Sequence, residues 1–278
     1  MIFSRMVGGL GNQLFQIAAC LKYRNKQEKV VISFLGDIHV PKRINCLNYI
    51  FEKPNWMIYD NSNDLNILKK NLAKTSAALR FGSYFPFISI NDRNFGSREF
   101  IFSKRKILFL DGYFNRKWNY SSLKSCFNQL SLKPIELSKE YHQICNDYVL
   151  IHLRGGDFLQ ISDLNICKLD YYKKAIKYSI SKGYNSFKLI SEDQKYGEEF
   201  LKEIKQSFID LKISMLNKNS IKNDFNLIRS AKLAILSNST FSWWASFLSV
   251  SKKEFIVPQN FSLKEKRLIL PNETIMYY

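Results

Sequence analysis

Histidine is scarce in this 278-residue chain: there are three, scattered at positions 39, 142 and 152. A histidine-rich metal site is thereby excluded. Cysteine is sparse and irregular. Cys20, Cys46, Cys126, Cys145 and Cys167 are odd in number and show no CxxC spacing. That pattern argues against a disulfide framework or a zinc site and for a reducing compartment. No apolar run reaches the ~18 residues that a membrane span needs. The nearest approach, Leu233 to Val250, is broken by Ser237, Asn238, Ser239, Thr240 and Ser242. Met1 leads straight into a strand-like segment without a basic region or a small-residue cleavage site, so no signal peptide is expected. Acidic residues are in deficit as well, 24 against 42 basic ones.

What is present is a folding chain. Hydrophobic content of 46% with 15% aromatics marks a globular protein, long enough for one large domain or two smaller ones. The net charge of +18 suggests anionic company: a phosphate-bearing substrate, an anionic membrane face or nucleic acid. The basic residues are spread, with only short clusters such as Lys104-Arg105-Lys106, so a solvated basic surface is the plainer reading. No nucleic-acid-binding signature accompanies the charge.

The stretch Tyr148 to Phe158 organises the rest. An apolar strand-like run changes within three residues to His152, Arg154, a Gly155-Gly156 pair and Asp157. Open α/β sheets present ligand sites in this way, at the carboxyl ends of their strands. Arg154 offers a planar, permanently charged fork for a phosphate, and the glycines let the backbone approach closely. A structural Arg–Asp pair in a turn is the plain alternative. After this stretch strands and helices alternate: strands at 186–190, 211–216, 233–236 and 254–257, with helices between them. A parallel, doubly wound sheet follows from such a series.

The N-terminal part begins with a strand, Ile2 to Val7, then Gly8-Gly9-Leu10-Gly11-Asn12-Gln13 and a helix. Leu14 stands where a third glycine would complete a dinucleotide fingerprint, and Asp37 ends the second strand. An NAD-dependent oxidoreductase therefore stays open as a different class, as does nucleic-acid binding from charge alone. Residues 37–105 read as a loop-rich insertion with one helix near 65–79. Pro134 marks the expected boundary between an N-terminal domain, 1–133, and a C-terminal one, 134–278.

Polar groups recur wherever a strand of the C-terminal half should end: His152/Arg154/Asp157, Ser191/Glu192/Asp193 and Asn238/Ser239/Thr240. Simple helix capping by Ser239 and core packing of Trp243 and Trp244 are the plain alternatives for the last group. Three blocks together, Gly8 to Gln16, the HxR…D segment and Asn238-Ser239-Thr240-Phe241-Ser242-Trp243-Trp244, resemble the bacterial α-1,2-fucosyltransferases of glycosyltransferase family 11. Asp111-Gly112-Tyr113-Phe114 and Ser191-Glu192-Asp193 match weaker blocks of that family.

The resemblance implies a GT-B-type fold of two Rossmann-like halves facing a cleft. The implied enzyme is inverting and metal-independent, moving L-fucose from GDP-fucose to a galactoside of a surface glycan such as an O-antigen. No cofactor is implied beyond the donor substrate, and no Asp-x-Asp metal grip occurs in the chain. By similarity Arg154 holds the β-phosphate, and His152 lies beside the nucleotide or organises its loop. Ser191, Asp193, Asn238, Ser239, Thr240 and Phe241 belong to the donor side, and Asp224 reads guanine unless it merely begins a helix. Gly9, Gly11, Asn12, Gln13, Asp111 and Tyr113 belong to the sugar and acceptor side. Arg154 and Asp157 are the expected catalytic pair, with Asp157 either the base or the group that orients Arg154 or His152. One departure stands out: the family carries a second Arg where this chain has Gly155, which opens the alternative of another deoxysugar or linkage. The expected acceptor is a glycan, in lipid-linked form at the inner face of a bacterial membrane, and the expected location is cytoplasmic with peripheral membrane contact.

Overall fold

Short apolar runs become the strands, and helices with one apolar side lie between them. The computed structural model describes residues 1–34, 45–60, 87–93, 95–96, 107–164, 166–217, 220–249 and 253–277. The chain divides into two compact units, Met1–Lys133 and Pro134–Tyr278.

In the first unit β1 (Ile2–Arg5) runs through the glycine turn into helix α1 (Leu10–Tyr23), followed by β2 (Val30–Ser33) and β3 (Met57–Asp60). Then come β4 (Phe87–Ile90), β5 (Ile107–Leu110) and helix α2 (Tyr120–Phe127). All pairings are parallel, in the order β3-β2-β1-β5-β4. Parallel strands need cover on both faces, and α1 supplies part of it by burying Leu10, Leu14, Phe15, Ile17, Ala18 and Leu21.

The stretch 37–105, expected to be loop-rich, contributes β3 and β4 to this sheet. Each is four residues long, like the other strands of this sheet, but lies among scattered aromatics, Asn and Lys that blur its pattern. The helix expected near 65–79 and Asp37 lie outside the described residues.

The second unit contains helix α3 (Lys139–Asp147), β6 (Val149–Leu153), the one-turn helix α4 (Asp157–Gln160), α5 (Leu169–Ser181) and β7 (Ser186–Ser191). It continues with α6 (Gln194–Ser207), β8 (Lys212–Met215), α7 (Ile221–Ser230), β9 (Leu233–Ile235), α8 (Thr240–Phe247), β10 (Glu254–Pro258) and β11 (Glu273–Met276). The order is β11-β10-β9-β6-β7-β8, again all parallel. Central β6 is buried at every position, and its Val149, Ile151 and Leu153 share one core with Phe187, Leu189, Ala175, Ile176, Phe200 and Ile204.

Helix α5 starts at Leu169 with Lys168 before it, and Asp170 lies in its first turn. A further strand, β11, follows the one read as last; it is partly exposed along its length and its apolar signal is diluted.

Capping by short polar side chains sets most helix starts. Asn119, Ser138, Asp193, Ser220 and Ser239 each accept from a backbone N–H of their helix's first turn. All five cysteines are free and buried. Among the described residues no helix is long and apolar enough to cross a membrane.

In the first sheet the chain passes from β3 to the outer strand β4 and returns to β5 beside β1, whereas the second sheet reverses its winding direction once, between β6 and β9. A crevice outside the carboxyl ends of two such strands is where open α/β sheets bind ligands.

Candidate functional site

The second unit's switch point gathers the strongest motif residues. Arg154 follows β6 directly. Its guanidinium is ion-paired with the exposed Glu192 at the end of neighbouring β7 and lies 4.6 Å over the ring of Phe158. Charge on one edge and an aromatic face beneath hold a planar cation in one orientation. The backbone beyond it is shaped by two glycines for different reasons. Gly156 sits at φ 60°, ψ −128°, a region that side chains rarely adopt. Gly155 is crowded: a Cβ there would stand 2.7 Å from the Asp193 Cβ and 3.1 Å from a ring carbon of Tyr196. A second Arg at position 155 therefore cannot be seated without moving Asp193, a physical account of the departure at that position.

Asp193 is fully engaged. One carboxylate oxygen accepts from the Tyr196 N–H (3.1 Å) as the cap of α6, and the other from the Gly156 N–H (3.2 Å). Ser191 turns back on the same loop, its Oγ donating to the Asp193 carbonyl (3.0 Å) and accepting from the Asp193 N–H (3.2 Å). Both residues, expected as donor contacts, thus shape the loop that carries Glu192. Asp157 opens α4; its side chain lies outside the described residues.

His152 is buried at 7% exposure. Its Nδ1 lies 2.9 Å from Ser237 Oγ, its ring is 5.7 Å from that of Phe241, and its carbonyl accepts from the Tyr172 hydroxyl (3.3 Å). These contacts tie the end of β6 to the segment after β9 and to α5. Burial, and then the nearby Arg154 charge, lower its pKa from 6.5 to about 3. The imidazole is neutral at every physiological pH.

The sign of the linkage is fixed by that depression. Stability from keeping His152 uncharged is complete above pH 6.5 and is lost as the pH falls toward 3, at about 1.4 kcal/mol per pH unit. Denaturant unfolding of the wild type between pH 3 and 7 should show one more proton taken up on unfolding than an H152N variant shows. Equal slopes for the two would contradict the buried neutral imidazole.

At the end of β9, Asn238 is buried and its amide donates to the carbonyls of Leu164 (2.8 Å) and Phe261 (2.7 Å), pinning two loops to the strand. Ser239 is buried too, its Oγ accepting from the Phe241 N–H (3.2 Å). Thr240 and Phe241, at the start of α8, are the partly exposed members of this block. Phe241 packs edge-on against Phe225 (5.2 Å), and Asp224 occupies the first turn of α7 beside it, half-buried, with Ser220 as that helix's cap. Trp243 and Trp244 are core residues with no exposure, and Trp243 donates to the Leu268 carbonyl (2.7 Å).

The ends of β1 and β5, neighbours in the first sheet, carry the other expected set. Gly9 is exposed and precedes α1 with no side chain capping that helix. Asn12 is partly exposed, its amide lying over Gly8. Gly11 and Gln13 are buried. Gln13 donates to the Gly8 carbonyl (3.3 Å) and accepts from the Cys46 N–H (3.4 Å), so it braces the turn rather than facing outward. Asp111 pairs with Arg5 (2.9 Å). Tyr113 is 47% exposed, and its N–H and that of Phe114 donate to the Asp92 carboxylate (3.0 and 2.6 Å).

Several residues of consequence escaped the sequence reading. Phe158, Ser237 and Asp92 have no motif of their own. Tyr172 reads as part of an apolar helix face, and only the packing of α5 shows its hydroxyl reaching the end of β6.

Solved structures share this fold. Fucosyltransferase NodZ from Bradyrhizobium matches with a TM-score of 0.51 at 15% identity, over 89% of this chain and 93% of that one. POFUT1 in complex with GDP matches with 0.53 at 12%, over 100% and 97%. These place the chain in the GT-B type of α/β fold. Among curated proteins, an α-1,2-colitosyltransferase of Escherichia coli is 28% identical over 89% of this chain and 87% of its own length. The O-antigen biosynthesis glycosyltransferase WbnK of Escherichia coli is 23% identical over 92% and 93%. The model of glycosyl transferase family 11 matches residues 100–273. With well over half of its length matched, including the β6 loop and the α8 start, the chain belongs to glycosyl transferase family 11.

Proposed function

We propose that this glycosyltransferase moves L-fucose from GDP-fucose to a galactoside hydroxyl of a surface glycan such as an O-antigen, forming an α-1,2 linkage with inversion. The observation that carries the reading is Arg154: a permanently charged fork beside a glycine pair, at the switch point of a parallel sheet. In this reading Pro134–Tyr278 takes the nucleotide and Met1–Lys133 the acceptor. A carboxylate at Asp224 accepts from both N1–H and N2–H of guanine. Thr240 and Phe241 line the donor, while Gly9, Asn12, Asp111 and Tyr113 serve the acceptor.

The reaction is a direct displacement. The acceptor oxygen bonds to C1 of the sugar as the bond from C1 to the β-phosphate oxygen breaks. GDP leaves with that electron pair, and the acceptor proton passes to a carboxylate, for which Asp157 is the candidate. Arg154 and the N-terminus of α8 stabilise the charge that grows on the diphosphate, so the scheme uses no metal. The excess of basic residues, steepest in Met1–Lys133, suits an acceptor presented on a lipid diphosphate at an anionic membrane surface.

A second reading has its own support: the colitosyltransferase relative and Gly155 favour a dideoxy donor sugar, colitose being fucose without its 3-hydroxyl. Calorimetric titration with GDP, GDP-fucose, UDP and dTDP in EDTA tests the donor class, and selective binding of guanine nucleotides is expected. Preference for UDP or dTDP would overturn it. Turnover with GDP-colitose far above that with GDP-fucose would replace the first reading by the second.

A further inference from the structure

We propose that Asp193 is a positioning residue for Arg154, acting on the donor's β-phosphate through the backbone of Gly156; the inference rests on Arg154 receiving the diphosphate. Asp193 stands at the end of β7, across from the end of β6. With one carboxylate oxygen it caps α6, and with the other it holds the Gly156 N–H at 3.2 Å. That second bond ties the loop carrying Arg154 to the neighbouring strand and helix. Gly156 is held in a left-handed conformation, φ 60°, which opens to other conformers at little steric cost when the bond is lost.

Gly155 makes the tie possible. Its missing Cβ is the space that Asp193 and Tyr196 occupy, at 2.7 and 3.1 Å. Gly155 and Asp193 therefore belong together: bringing the loop this close to α6 replaces a second cationic side chain with a backbone clamp. The clamp adds no cation to the site. It narrows the positions open to the one guanidinium that remains, already framed by Glu192 and Phe158, and preorganisation of this kind sharpens binding to a fixed anion.

An Asp193→Asn variant separates the two bonds. Asparagine caps helices as well as aspartate does, so its oxygen keeps the Tyr196 N–H. Its amide NH2 then faces the Gly156 N–H, donor against donor, and the clamp opens. GDP and GMP differ by the β-phosphate, so the ratio of their affinities isolates the effect. In D193N that ratio is expected to fall about tenfold relative to wild type, with GMP affinity and Tm nearly unchanged. In an R154A background D193N should change GDP affinity by less than twofold, because the two residues act along one path.

Equal weakening of GMP and GDP, or a full tenfold loss on top of R154A, would overturn the inference. So would an unchanged ratio. If the wild type itself binds GDP no better than GMP, the failure belongs to the proposed donor assignment and is seen before any variant is made.

Discussion

Replacing Arg154 with alanine should lower kcat/KM by about a thousandfold while leaving the fold intact. Removing one preorganised donor from a developing anion costs on the order of 10²–10³ in rate, and a charged fork stands at the upper end. Little of the fold depends on the guanidinium. It is partly exposed, and its partners Glu192 and Phe158 are themselves at the surface or half-buried. GDP affinity should fall in parallel, since the proposed reading has the same group hold the ground-state diphosphate. Arg154→Lys keeps the charge and loses the planar fork, so it should recover only part of the loss. Turnover in R154A within threefold of wild type, with GDP binding retained, would remove Arg154 from the donor site.

The second large effect is on stability, away from the chemistry. Arg267 and Glu273 join the β10–β11 connection to the start of β11, and both side chains are fully buried. Glu273 accepts from Arg267 Nη2 and from the Leu270 N–H (2.9 Å), and the guanidinium carbon lies 5.7 Å from the Phe261 ring. Glu273→Ala leaves a cation in a dry site with no counter-charge. Breaking a buried pair from one side costs roughly 3–5 kcal/mol, which for a chain of this size is a large fall in Tm.

Removing both charges is a different experiment. An Arg267→Met/Glu273→Leu double variant replaces the pair with apolar groups of similar volume and should recover most of that loss. If E273A unfolds no earlier than wild type, the pair is not the closed ionic contact the structure draws. Because β11 is the outermost strand of the second sheet, GDP affinity at sub-denaturing temperature should be spared in the double variant.

How much was legible beforehand depends on where each signal resides. A five-residue apolar strand ending in Arg and two glycines is a local pattern, so β6 and its loop could be read directly. The same holds for the Ser239 cap and for the glycine turn after β1, since capping and tight turns are settled by residues within a few positions. The strands β3 and β4 are no shorter than β1, β2 and β5, but they lie in a stretch where aromatics, Asn and Lys are scattered through and between the apolar runs, so neither stands out as a strand. Among the expected site residues, Gln13 and Asn238 show the limit. An amide in a motif has the same appearance whether it faces a ligand or a carbonyl, and here burial turned both toward the backbone.

The chain by itself determined its alternation of strands and helices, the places where charge and glycine interrupt them, and membership of a family whose blocks are short and contiguous. Only the tertiary structure decided which polar residues remain available. It set Glu192 against Arg154, spent both oxygens of Asp193 on backbone, and closed His152 over Ser237 in its neutral form. The physical reason is that strand order joins segments far apart in the chain. β6 lies between β7 and β9, and the hydrogen bonds formed across those neighbours depend on distances that no local pattern of residues encodes.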